Sequence, residues 1–542
     1  MLKRLCCSWP AAIKVHLSTC RTAIKDGPGL DHFIAKAQPS RHRAPKVFPL
    51  PIESDTYLSP EDFHGAGRTV KFLTYGCQMN VNDMEVVRSI LFKNGYVETE
   101  DERNANVVLL MTCSIRESAE DKIWRKLQLL RANAKTATVG VLGCMAERIR
   151  EGILNKSKFV DLVVGPDAYR DLPRLLAATR FGQNAMNVQL SLEETYADIQ
   201  PVRAEAASKS AFVSIMRGCD NMCTYCVVPF TRGRERSRPV DSIIDEVRQL
   251  SDQGFKQIIL LGQNVNSYRD MSQLPVSTST STVAGFKTVY KPKTGGLTFA
   301  TLLEKVSAVN PEMRIRFTSP HPKDFPLPVL QLIRDRPNIC NQLHLPAQSG
   351  DDAVLEAMGR GYTREAYLDL VAQVKETIPG VGLTSDFIAG FCGETEEAHQ
   401  RTLDLIREVG YYFCFVFPYS MRERTRAHRR LDDNVSDEVK QRRTVELAHV
   451  FREKALELNT KLIGSTQLIL IEGKSRRSDR HLSGRIDSGT KVIIDDVPLP
   501  GLDDTATANP QVGEYVAVTI TAATSQSLTA IPLRRSSIAS GF

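Results

Sequence analysis

Arg217-Gly218-Cys219-Asp220-Asn221-Met222-Cys223-Thr224-Tyr225-Cys226 places three cysteines in a C-x-x-x-C-x-x-C pattern directly after a strand-like apolar run, Ala211 to Arg217. Twelve cysteines scattered over 542 residues would produce such a triple on the order of 0.006 times, so chance does not account for it. Zinc sites favour paired C-x-x-C spacings, and three cysteines with no nearby histidine leave zinc a ligand short. Three thiolates on a four-iron cluster instead leave one iron open to a non-protein ligand. A structural knuckle and a reactive cluster both remain readings of the triple alone.

Downstream of the loop, strand-like and helix-like patterns alternate. Strands are expected at Gln257–Leu261, Met313–Thr318, Gln342–Leu345, Gly382–Ile388 and Tyr411–Phe417. Between Arg217 and Gln257, Asp241 reads as a helix N-cap, Ile243, Ile244, Val247 and Leu250 as one apolar face, and Gly254 as the terminator. Six strand–helix units imply an incomplete α/β barrel, whose working face lies at the strand C-termini. The cysteine loop follows the first strand and so belongs at the barrel mouth. Upstream, the runs Val70–Cys77, Val107–Cys113 and Thr138–Cys144 each end in a cysteine, with helical patterns such as Asp83–Asn94 between them. That rhythm predicts a parallel sheet, whose ligand edge lies beyond the strand C-termini where the three cysteines fall. Ser272–Gly296 reads as an insertion loop. A long helix, Ser436–Ile463, leads to a small all-β module of strands Thr466–Ile471, Lys491–Ile494, Tyr515–Thr521 and Ser527–Ile531. The expected division is 1–66 lead, 67–185 N-terminal domain, 186–210 linker, 211–435 barrel, 436–463 connecting helix, 464–534 β-module and 535–542 tail.

Composition excludes several classes. With 42% hydrophobic and 25% charged residues, the chain is neither disordered nor a disulfide miniprotein. No stretch approaches the roughly 18–20 uncharged apolar residues of a membrane-spanning helix, so no membrane partner is expected. The first 46 residues carry nine Lys/Arg, from Lys3 to Lys46, against only Asp26 and Asp31, the balance of a mitochondrial presequence; a disordered basic tail is the alternative reading, and a mitochondrial matrix location with an additional cytosolic pool is the expectation. Cys340, Cys392 and Cys414 match no ligand spacing and read as packing residues.

The triple, with Tyr225 before its third cysteine, resembles the radical S-adenosylmethionine signature. Cys226-Val227-Val228-Pro229-Phe230-Thr231-Arg232-Gly233-Arg234, Thr74-Tyr75-Gly76-Cys77-Gln78-Met79-Asn80, Thr112-Cys113 and Gly143-Cys144-Met145-Ala146-Glu147-Arg148 narrow the likeness to the bacterial MiaB methylthiotransferases, from about Arg68 to about Leu533. The resemblance implies a radical-SAM (β/α)6 partial barrel and a TRAM-like RNA-binding β-barrel. It also implies conversion of N6-isopentenyladenosine beside the tRNA anticodon to its 2-methylthio form. Two [4Fe-4S] clusters and S-adenosyl-L-methionine are the implied cofactors. Cys219, Cys223 and Cys226 would hold the radical-generating cluster, and Cys77, Cys113 and Cys144 an auxiliary cluster carrying the sulfur. Inserting sulfur at an unactivated carbon needs both a radical generator and a sulfur source, and two three-cysteine sites provide one of each.

By the same resemblance, Tyr225, Gln263, Ser319, Gln348 and Asp386 would line the S-adenosylmethionine site. Basic clusters at Arg232 and Arg234, at Arg422 and Arg424, and at Arg476, Arg477 and Arg480 suggest an RNA track, although the β-module from Gly464 onward balances eight Lys/Arg with eight Asp/Glu. The implied partners are tRNA carrying isopentenyladenosine, a reductase or ferredoxin-type electron donor and a sulfur donor. A kinase regulatory subunit is implied by the name of an animal mitochondrial branch of the family. The alternative substrates are threonylcarbamoyladenosine or a ribosomal protein. The sibling threonylcarbamoyladenosine enzymes typically have a Lys-rich segment where this chain has Val227-Val228-Pro229-Phe230.

Overall fold

The computed structural model describes residues 58–114, 117–133, 137–157, 159–204, 208–272, 286, 295–501 and 507–540. The basic segment 1–46 and nearly all of the 272–296 insertion lie outside the described residues.

The first domain is a six-stranded, all-parallel sheet: β1 (Thr69–Thr74), β2 (Val97–Glu98), β3 (Val107–Thr112), β4 (Thr138–Gly143), β5 (Leu162–Val164) and β6 (Ala185–Asn187), in the order β2-β1-β3-β4-β5-β6. Strand β3, Val-Val-Leu-Leu-Met-Thr, is buried along its whole length because helices cover both faces. Val107, Leu109 and Met111 enter one core, while Val108 and Leu110 enter the other. The strand order reverses between β1 and β3, and the carboxyl edge at such a switch point is where open α/β sheets bind ligands.

The second domain is an arc of six parallel strands: β7 (Ser210–Ser214), β8 (Gln257–Leu261), β9 (Arg314–Phe317), β10 (Gln342–His344), β11 (Gly382–Ala389) and β12 (Phe413–Pro418). They pair as β9-β8-β7 and β10-β11-β12, and a single parallel bridge, Ile315 with Ile339, joins the halves. Alternation along each strand separates two faces. Val213, Ile258, Leu260, Ile315, Leu343 and Phe387 pack outward in the helix-covered core. By register, Gln257, Ile259, Arg314, Arg316, His344, Asp386 and Phe415 point inward. The helix Val240–Asp252 buries Ile243, Ile244, Val247 and Leu250 as expected, but Pro239, not Asp241, is its N-cap; the Asp270 carboxylate accepts from the Val240 N–H at 2.8 Å and so supports a start two residues earlier.

Helix Asp437–Thr460 leads to a closed five-stranded barrel of β13 (Thr466–Ser475), β14 (Ser478–Arg485), β15 (Lys491–Asp495), β16 (Tyr515–Ala523) and β17 (Ser527–Ser536), in the order β13-β14-β15-β17-β16. This module seals the N-terminal end of the arc. Arg314 donates to the carbonyls of Leu468 and Arg485, both at 2.7 Å, and Arg316 to those of Ile486 and Asp487, both at 2.9 Å. The fit is close enough that a Cβ on Gly382 would stand 2.5 Å from the Ser488 carbonyl oxygen.

Three expected boundaries move. Packing begins by Leu58, not at residue 67, because Gly65 and Gly67 N–H groups bond the Asn94 and Gly95 carbonyls. The segment expected as a linker is a fixed seam: Tyr196 and Ile199 are buried, and Arg203 pairs with Glu85 and Glu246, both at 2.7 Å. The expected tail is also tied down, since Ile538 and Ala539 N–H groups donate to the Glu312 carboxylate at 2.8 Å. Among the described residues no helix is long and apolar enough to cross a membrane.

Candidate active site

The cysteine loop is held by its backbone. After β7, Met216–Arg217 pairs antiparallel with Arg236–Ser237, and the chain turns at Gly218, φ +76°. A Cβ there would lie 2.1 Å from the Arg234 carbonyl oxygen, so the turn requires glycine. Gly218 N–H donates to Gln263 Oε1 at 2.6 Å, and Thr224 N–H and Oγ1 to the Met358 and Ala357 carbonyls at 2.8 Å. Cys219 and Cys223 are buried and Cys226 half-buried. Burial, then the neighbouring thiols, pushes Cys226 up to about 12 and Cys219 well above the ordinary thiol value. Thiols packed so closely oppose ionisation until a cation replaces their protons, which suits a metal cluster. Arg360 Nη1 donates to Cys223 Sγ and to Tyr225 Oη, both at 3.4 Å, and Nη2 to the Pro346 carbonyl at 2.8 Å.

The second cysteine set comes from three strand ends. Cys77 follows β1 by three residues and is the N-cap of the helix Gln78–Lys93, five residues ahead of the expected helix start. Cys113 follows β3 directly, and Cys144 opens the helix Cys144–Ile149 after β4. Hydrogen bonding with Cys113 lowers the Cys77 thiol to about 6 against the opposing effect of burial, helped by Arg232 and by the Asn80 and Met79 N–H groups at the helix start. All three cysteines line one cavity of about 220 Å³, with Arg232, Val227 and Val228 from the segment after the cysteine loop. Its far wall is Leu261, Gly262, Gln263, Thr318 and Ser319, at the C-termini of β8 and β9. Among the described residues no three His, Cys, Asp or Glu side chains are close enough to hold one metal ion. The three thiols nonetheless share the lining of that one cavity.

Gln263 and Ser319 thus fall at the same cavity as the cysteines. Gln348 and Asp386 stand at the other half of the arc, linked by the Gln348 N–H to the Asp386 carbonyl at 2.9 Å. The Asp386 side chain faces His344 Nε2 at 3.3 Å. Non-glycine residues with left-handed backbone concentrate here: Met222 (φ 50°), Ser319 (59°) and Gln348 (71°). Such strain is retained where the surroundings over-determine a functional geometry.

Residues 69–165 match the Uncharacterized protein family UPF0004, 213–406 the Radical SAM superfamily and 460–533 the TRAM domain. The chain is 57% identical over 518 residues to the "Mitochondrial tRNA methylthiotransferase CDK5RAP1" of Rattus norvegicus, spanning 93% of this chain and 87% of that one. The chain belongs to this methylthiotransferase family. A Caenorhabditis elegans "CDK5RAP1-like protein" is 58% identical over 539 residues, 98% and 96% of the two chains. The "tRNA-2-methylthio-N(6)-dimethylallyladenosine synthase" of Chloroherpeton thalassium is 48% identical over 458 residues, 84% and 94%.

In this methylthiotransferase the expected RNA track divides. Arg232 is only 3% exposed and belongs to the cavity wall, and Arg422, 7% exposed, lies 3.5 Å from Glu120, which also binds Arg148 at 2.6 Å. Both are corrected from surface to interior, since each joins the barrel to the first domain. Arg234 is exposed but pairs with Asp220 at 2.7 Å, and Arg424 is half-buried. Arg476 and Arg477 form the exposed two-residue tip between β13 and β14, with Arg480 exposed close by. Sequence reasoning missed Arg360, whose only signal is its place between Gly359 and Gly361, and Asp83, a carboxylate inside a helix with no signal at all.

Proposed function

We infer that this chain converts N6-isopentenyladenosine beside the anticodon of tRNA to 2-methylthio-N6-isopentenyladenosine, by radical S-adenosylmethionine chemistry in the mitochondrial matrix. The observation that carries this reading is the cavity in which Cys77, Cys113 and Cys144 face the barrel strand ends, with Val227 and Val228, which directly follow Cys226, on its wall. When bound, two clusters and S-adenosylmethionine supply the radical and the sulfur. A ferredoxin-type or reductase electron donor and a sulfur donor complete the requirement. The protein's own contribution is enclosure and alignment: Gly218, Gln263 and Met358 fix the loop, and the buried arginines bring the second cysteine set against it. Relatives bearing mitochondrial names and the basic segment 1–46 support the location. Mass spectrometry of nucleosides from mitochondrial and cytosolic tRNA of cells lacking the protein tests it. The methylthio mark should vanish while isopentenyladenosine persists, and an unchanged methylthio level in both pools refutes the reading.

The inner face of the arc suits an unstacked base. Phe415 is 44% exposed, with Phe417 stacked along the same strand face at 6.3 Å and 11° and His344 edge-on at 6.3 Å. Base–aromatic stacking contributes about 1–3 kcal/mol, so Phe415→Ala should weaken binding of an isopentenylated anticodon stem-loop roughly 5- to 150-fold. The same variant should bind a loop lacking that base as the parent does; equal affinity of parent and variant for the intact loop removes Phe415 from the substrate site.

The arginine tip would grip phosphates, which orient RNA without reading its sequence. Neutralising Arg476, Arg477 and Arg480 should weaken tRNA binding and flatten its salt dependence by up to about 0.7–0.9 per lost phosphate contact. S-adenosylmethionine cleavage without tRNA should persist, because these residues lie on the β-module. An unchanged salt slope shifts the RNA contacts elsewhere.

A further inference from the structure

Between the two cysteine sets lies a buried charge cluster that loop geometry alone does not require. Arg232 caps the four-residue helix Val228–Thr231, which begins two residues after Cys226, so its backbone moves with the barrel loop. Its guanidinium reaches into the first domain: Nε lies 3.2 Å from Cys144 Sγ, and Nη2 lies 3.0 Å from Asn80 Oδ1 and 2.8 Å from Asp83 Oδ2. Asp83 is fully buried, and its other oxygen meets Arg217 Nη1 at 2.8 Å; Arg217 in turn reaches Glu194 at 3.7 Å. Burial alone would raise the Asp83 carboxyl, but the two guanidinium groups hold it below its ordinary value. The Arg232 Nη1 atom, buried, has no hydrogen-bond partner among the described residues, and the side chain is one wall of the cavity.

We propose that Arg232 is a positioning residue for the sulfur-carrying site. It sets Cys144 Sγ relative to the barrel loop and, by donating to that sulfur, raises the reduction potential of the cluster held by Cys77, Cys113 and Cys144. The proposal rests on the two-cluster reading above. Hydrogen bonds to cluster sulfurs favour the more negatively charged reduced state, and outer-shell donors also fix ligand orientation. Asp83 and Asn80 hold the fork in place, so the donor that meets Cys144 is pre-aimed. Arg360 makes the corresponding contact with Cys223 in the other set, so each cysteine triplet receives one buried guanidinium.

The test uses the full chain with Cys219, Cys223 and Cys226 all replaced by Ala, so that only the second site can load. After anaerobic reconstitution with iron and sulfide, a redox titration followed by electron paramagnetic resonance gives the midpoint. Arg232→Gln should shift it to more negative potential. Arg217→Gln, which also loses an Asp83 contact but touches no thiol, should shift it less. If Arg232→Gln fails to load, Arg232→Lys serves instead: a single ammonium pairs with the Asp83 carboxylate first and leaves Cys144 without its donor, so the midpoint again falls. An unchanged midpoint in whichever Arg232 variant loads, or a shift matched by Arg217→Gln, overturns the role of Arg232. Absence of any cluster in the parent with Arg232 intact instead overturns the two-cluster reading, and this proposal with it.

Discussion

Alanine at Cys219, Cys223 and Cys226 together should abolish S-adenosylmethionine cleavage and leave about half of the iron and sulfide after anaerobic reconstitution. The fold should survive the change, because the loop is fixed by contacts that involve no thiol: Gly218 to Gln263, Thr224 to Met358 and Ala357, and the Ala427 N–H to the Thr224 carbonyl at 2.8 Å. Burial raises the Cys219 and Cys226 thiols, so removing these two takes away no buried charge. Iron and sulfide analysis together with detection of 5′-deoxyadenosine reads both halves of the expectation. Full iron content in the triple variant refutes two independent sites, and continued cleavage refutes the assignment of the loop.

Alanine at Cys77, Cys113 and Cys144 should have the complementary result: continued cleavage of S-adenosylmethionine with loss of the methylthio product. The three cysteines follow different strands of a sheet whose core is formed by Leu109, Val141, Leu162 and their neighbours, none of which touches the strand-end chemistry directly. Each substitution removes one sulfur from a cavity wall, and that of Cys144 also leaves buried Arg232 Nε without its acceptor at 3.2 Å. Continued cleavage by the variant is therefore also the check that its fold survives. Conversion of isopentenylated tRNA by this variant, measured by nucleoside mass spectrometry, would show that the sulfur comes from another source.

The parts of this structure that could be read from sequence share one property: the residues carrying the signal are neighbours along the chain. The triple at Cys219–Cys226 is local, and the cysteines ending β1, β3 and β4 are each announced by an apolar run of strand length. Strand β14 escaped because Ser478-Asp479-Arg480-His481 is polar on both faces and only Leu482 enters the module core. The segment 186–210 read as a linker because the two anchors of its seam, Tyr196 and Ile199, are isolated in polar sequence. The arginines misled for a related reason. A run of alternating arginines reads as an RNA-facing surface, yet Arg232 meets Cys144 across 88 residues and Asp83 across 149, and Arg422 meets Glu120 across 302. Periodicity carries no information about partners so distant, and the domain interface they build became visible only with the fold.

The sealed floor of the barrel bears on how far this molecule can be divided. Its three family matches suggest interchangeable parts, but Arg314 and Arg316 satisfy their guanidinium groups on main-chain carbonyls of the β-module, and Asn341 N–H donates to Asp487 at 2.8 Å. Cutting the chain at Gly464 would leave two interior cations without these partners and open the reaction chamber from below. Lost activity in such a fragment therefore could not be attributed to lost RNA grip alone. A transplanted module would have to reproduce the backbone course of Arg485–Gly489 whatever RNA it preferred. The module's drift in sequence is thus constrained by the face packed against the arc as well as by any other contact it makes.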